Sequence, residues 1–152
     1  MNALDDVVIF DFPGDWTRLE IAEGTVFARS EDLGRCGGDF RRVPLTFFSG
    51  LIDALERSTV DEIADALMQR RVRQGYPERF STVISTLDAR GFAWTDGVVE
   101  ILSFFVEHPS GVVVEFQVGR WFGETGSGGP PLRPIADELL THVRWRDVHA
   151  AG

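Results

Sequence analysis

Few groups in this chain combine the residue types and spacing that chemistry needs. The segment GETGSGG, residues 123–129, has the glycine content of a loop that cradles phosphate on its backbone N–H groups. Such a loop requires a Lys-Ser/Thr pair and a helix directly after it. Here Pro130 and Pro131 follow and the chain contains no lysine, so the segment reads as a linker. The histidines, His108, His142 and His149, offer bases or metal ligands, but none stands at i, i+4 to another and no CxxC accompanies them. Cys36, in LGRCGGD, has the cation Arg35 beside it, as a reactive thiol would need. A single cysteine in a glycine-rich loop is nevertheless read as incidental, and it has no internal disulfide partner. The carboxylate pairs Asp61–Glu62 and Asp137–Glu138 have the composition of a general acid and base. Both fall where first turns of helices are expected, and the helix dipole alone accounts for them. A GxSxG nucleophile elbow is missing, and the absence of lysine removes Schiff-base chemistry. The expectation is no catalytic residue, no metal and no cofactor: not an enzyme.

The elements that position these residues follow from hydrophobic period. VVIFDF reads as a strand ended by Pro13, Gly14 and Asp15, with Trp16 folding back over one end of a sheet. LEIAEGTVFARS divides at Glu23-Gly24 into two strand pieces, giving an N-terminal meander of two or three antiparallel strands. Residues 44–56 are ambiguous. Val43, Leu45 and Phe47 alternate as in a strand, while Leu45, Phe48, Ile52 and Leu55 are helically spaced. A helix over 59–74 is clearer, with Thr59 and Glu62 at capping-box spacing, an apolar stripe through Ile63, Ala64, Leu67 and Met68, and Arg70, Arg71 and Arg73 near its end. Residues 80–122 suggest three strands and two turns, the clearest turn being His108–Gly111. Phe104 and Phe105 must point to opposite faces of their strand, so both faces need cover, by helices on one side and loops or a partner on the other. A last helix is expected over 135–142.

The fold expected is therefore α+β, a single antiparallel sheet of about five to seven strands with two or three helices packed on it. One domain spans 1–147, and 148–152 form a flexible tail. The 152 residues can bury a core of their own, and 43% hydrophobic with 26% charged residues is the balance of a globular domain. No apolar run approaches the roughly 20 residues that cross a bilayer, and the acidic opening MNALDDVVIF lacks the character of a secretion signal. A cytoplasmic setting is expected. A net charge of −9 argues against nucleic acid and anionic membranes as partners. All fifteen basic residues are arginine, a bias expected of a bacterium with a GC-rich genome.

Several features together resemble the PsbP-like superfamily, which spans photosystem accessory proteins, a Ran-binding import factor and bacterial DcrB-type proteins. They are a strand followed by FPGDW, the capped helix STVDEIADAL, GFAW leading into a long hairpin, and the closing ADELLTHVRW. In that light Trp16 is similar to the family's early-turn tryptophan. Thr141-His142 departs from it, standing where a serine is frequent. The resemblance implies a fold and carries over no functional residue.

With no catalytic constellation, the chain is expected to be a non-enzymatic, cytoplasmic protein-binding domain: an adaptor, chaperone or accessory protein for another polypeptide. A small-molecule or lipid carrier with an apolar cavity, or an immunity or antitoxin protein, are the alternatives. The expected partner-binding residues are Trp121, Phe122 and Phe105, aromatic anchors beside an adaptable loop. The competing placement buries Trp121 beneath the C-terminal helix.

Overall fold

The computed structural model describes residues 3–35, 37, 43–52, 59–72, 75–96, 99–121 and 131–146. The strands are β1 (Val8–Phe10), β2 (Trp16–Ile21), β3 (Gly24–Arg29), β4 (Leu45–Ile52), β5 (Glu78–Ile84), β6 (Leu87–Asp96), β7 (Val99–Glu107), β8 (Val113–Trp121) and β9 (Val143–Trp145). The helices are α1 (Ser30–Arg35), α2 (Val60–Arg71) and α3 (Leu132–Leu140), with a 3-10 turn over Ala3–Asp6. Seven strands form an antiparallel sheet in the order β2-β3-β4-β8-β7-β6-β5, and β1 pairs with β9 in a separate ribbon. The architecture is α+β, as expected, but the single sheet is corrected to a sheet plus a ribbon. The supposed N-terminal meander is correspondingly a β2–β3 hairpin, its first strand having left to pair with the chain's last.

Strand register decides what each face carries. Phe80, Gly91, Phe104, Phe116 and Ser49 lie side by side across β5, β6, β7, β8 and β4, so they share one face. Arg79, Phe92, Ser103, Gln117 and Phe48 share the other by the same pairing. The first face is covered by α3 and the β1–β9 ribbon, whose Leu132, Ala136, Leu139, Val8 and Val143 join Phe47, Phe104, Phe116 and Val118 in the main core. Full burial of such a ring is worth about 1.5–3 kcal/mol. The second face receives α2, whose Ala64 and Met68 pack on Phe92 and Phe105. Helices thus cover both faces, where helices on one face alone had been expected.

Trp16 behaves as its position in the sequence suggests. Its ring lies 5.4 Å from that of Phe12, with the Arg29 guanidinium 5.6 Å above it. The ambiguous 44–56 segment is strand over Leu45–Ile52, between β3 and β8; residues 53–58 lie outside the described set. In α2 both halves of the Thr59–Glu62 capping box are formed. The helix stops at Arg71, because Val72 is already extended, rather than running on to 74. Helix α3 starts at Leu132, just past Pro131, so Asp137 and Glu138 are mid-helix rather than in its first turn. Between 78 and 121 there are four strands, because an unforeseen turn at Ser85-Thr86 separates β5 from β6.

Candidate partner-binding face

Helix α2 crosses the second face of the sheet over β6 and β7; beyond it Val26 and Ala28 of β3 are buried, while Ile21 of β2, Phe48 of β4 and Trp121 at the end of β8 are half-buried. A shallow cleft of about 370 Å³ lies between these strands and α2. Its floor is Phe48, Ile101, Trp94 and Gln117, with Ile21 and Glu23 on one side and Arg71 and Asp96 on the other. Phe48, Ile21 and Trp94 are half-buried. The turn residues Ala22 and Glu23 bring β2 back as β3, and this close hairpin sets Ile21 at the edge of the cleft.

The cleft is anchored by a buried ion pair. Glu115, only 2% exposed on β8, accepts from both terminal nitrogens of Arg71 and from Gln117 Nε2 at 2.7 Å. Its charge therefore has the partners that burial demands. Of the expected arginine cluster, Arg71 turns inward to this internal role, Arg70 is exposed in the last turn of α2, and Arg73 lies outside the described residues. Trp94 Nε1 donates to Ser103 Oγ at 2.9 Å, fixing the ring's polar edge inward and leaving a face toward the cleft.

The expected site residues divide. Trp121 is on this face, opposite Val99 in the register and half-buried, and it is not in the core beneath α3. Phe105 is on the same face but fully buried under α2, so it supports the helix and is closed to a partner in the folded state. Phe122 lies outside the described residues. Sequence reading missed Phe48, Trp94, Ile101 and Gln117. Their one sequence signal, alternation along long β segments, does not say which stretch a helix covers.

The residues considered for chemistry are dispersed. His108 is buried, its Nδ1 accepting from Ser110 N–H at 3.2 Å while Nε2 faces the Arg146 carbonyl at 3.1 Å. This assigns the proton to Nε2 and makes the ring a tie between the β7–β8 turn and the residue after β9. His142 lies against Phe12 with ring centroids 5.4 Å apart. Asp61 and Asp137 are paired with Arg90 and Arg133. Cys36, His149 and the 123–129 glycine segment lie outside the described residues. Among the described residues, no three His, Cys, Asp or Glu side chains converge as metal ligands, and no helix is long and apolar enough to cross a membrane.

No protein-family model matches the sequence, and no curated protein matches it. Among solved structures, the chain is similar to the crystal structure of LpqN, involved in cell envelope biogenesis of Mycobacterium tuberculosis, with a TM-score of 0.50, 15% identity, and coverage of 92% of this chain and 83% of that one. At that identity, the likeness is one of fold.

Proposed function

We propose that the protein is a non-enzymatic binding domain that docks a segment of another polypeptide over the cleft between α2 and the β2–β4 side of the sheet. The observation that carries this reading is the half-buried apolar group Ile21, Phe48, Trp94 and Trp121 on one continuous strand surface. The exposed carboxylates Glu23 and Asp96 flank it, and Arg71, the one arginine lining the cleft among the described residues, is already paired. An apolar segment with cationic flanks satisfies both features, since the ring faces supply contact area and the rim supplies charge complementarity. The reading is favoured over a carrier because the main core is filled by its own rings: Phe12 stacks on Phe27 at 4.3 Å and leans on Phe47 at 5.1 Å. The PsbP-like reading belongs to this proposal. It rests on the FPGDW, GFAW and ADELLTHVRW motifs.

Chemical-shift mapping tests the reading. Titration with a cationic amphipathic peptide should move the Trp94 and Trp121 indole signals and the amides of Ile21, Phe48 and Gln117. An acidic peptide of the same apolar pattern should leave them in place. Equal response to both peptides, or shifts confined to the α3 side, would rule the surface out.

A further inference from the structure

We infer that the chain also associates with a second copy of itself, by antiparallel pairing of the free edge of β5. Among the described residues, this strand ends the seven-stranded sheet and is bonded on one side only, to β6. The two strands are joined by Ser85 and Thr86, both at positive φ, the conformation of a two-residue hairpin turn. In such a hairpin the flanking pair, Ile84 and Leu87, exchanges both ladder hydrogen bonds, and the pattern alternates from there. Glu78, Phe80, Thr82 and Ile84 therefore bond to β6, while the N–H and C=O groups of Arg79, Ser81 and Val83 point outward. No described residue supplies backbone partners for those three. Natural edges are usually blunted by proline, a bulge or a covering element. Here the edge runs unbroken through ERFSTVI.

Exposed apolar surface gathers at the same edge. Among the described residues, the large hydrophobic side chains open to solvent are Tyr76, 98% exposed, and Val83, 60% exposed. They stand before and near the end of β5. A two-fold axis midway between the two Ser81 residues aligns the strand with itself over its whole length. Arg79 then faces Val83 of the second copy, and Ser81 faces its own counterpart. Glu78 faces Ile84, so no like charges are opposed. Each outward pair exchanges both hydrogen bonds. The aliphatic stem of Arg79 covers Val83 from either side.

The same register carries Tyr76 to the Ser85–Thr86 turn of the other copy. Tyr76 precedes Pro77, which favours an extended backbone and prolongs the line of the strand. It borders a hollow beside the end of α2, with Met68, Gln69 and Val72. Pairing sets the exposed ring of each copy against the turn of the other, the self-complementarity of an isologous interface. The surface is separate from the face proposed for the partner polypeptide, so either can hold without the other.

Sedimentation velocity across a concentration series tests this with the full chain and two variants. The parent should be a dimer. Ser81→Pro removes only an outward N–H, a placement proline tolerates at an edge, and should yield a folded monomer. Tyr76→Ala should raise the dimer dissociation constant about tenfold or more with thermal stability of the monomer unchanged. Nitroxide labels at Ser81→Cys in a Cys36→Ser chain should broaden each other's spectra, because paired Cα atoms lie about 5.5 Å apart. A parent that stays monomeric overturns the inference. So does a dimer that Tyr76→Ala leaves intact and whose labels show no broadening, even if Ser81→Pro fails to fold.

Discussion

The Arg71 guanidinium and the Glu115 carboxylate, 44 residues apart, join the last turn of α2 to the first part of β8. This pair fixes how far α2 lies across its face, and hence how much of that face stays open. Glu115 is almost fully buried, so removing its cation leaves Gln117 as its remaining side-chain donor. Arg71→Met should cost about 2–4 kcal/mol in chemical denaturation. The double change Arg71→Met with Glu115→Leu should recover much of that loss, because no unpaired buried charge remains. A single variant as stable as the parent would show that the pair does not hold the helix.

Gly91 and Phe80 form a second testable pair. A Cβ on Gly91 would stand 2.1 Å from Phe80 Cε2, so the ring can lie over the β6 backbone only because the side chain is absent. The ring continues into an edge contact with Phe104 at 5.6 Å and lies under the Arg133 guanidinium, 4.0 Å away. Gly91→Ala should cost about 1–3 kcal/mol by overpacking. Adding Phe80→Leu should make the two effects clearly non-additive in a double-mutant cycle. Strict additivity would remove the contact from the account.

Thr86 is strained. It holds φ at +85°, a region that β-branched residues rarely enter. Thr86→Gly should therefore raise stability by about 1 kcal/mol, seen as a higher urea midpoint with an unchanged slope. A lower midpoint would mean that the turn is not of this type.

The α2 cap makes a simpler prediction. Thr59 Oγ1 accepts from the Glu62 N–H at 3.2 Å. Thr59→Ala should cost about 1 kcal/mol, and Thr59→Ser should keep most of it, both read by thermal unfolding. Equal loss from the two would assign the effect to the threonine methyl rather than the cap.

Legibility varied with how local each determinant was. The α2 cap and the His108–Gly111 turn were readable because residues a few positions apart decide them. β4 was ambiguous for a physical reason: Leu45, Phe47 and Leu51 on its core face and Phe48 and Ile52 on the candidate face are all apolar, so its sequence loses the period that marks a half-exposed strand. The Ser85–Thr86 turn was hidden because neither residue is one that positive φ favours. The pairing of β1 with β9 joins residues such as Val8 and Trp145, a contact no local pattern encodes. Trp121 was singled out as an aromatic anchor beside the glycine-rich loop, and the strand register gives its face, whereas Phe105 needed knowledge of where α2 lies. The sheet class was thus visible in the sequence, and the boundary between covered and open surface was not.

Partner capture and thermal stability measured together on Ile21→Arg and Trp121→Ala test the proposed face most directly. Ile21 is half-buried beside the acidic rim, and an arginine there places like charge against a cationic segment. Each variant should lose the polypeptide that the parent protein retains from its native host, while unfolding free energy changes by about 1 kcal/mol or less. A fully stable Ile21→Arg protein that still retains that polypeptide would contradict the assignment of this face.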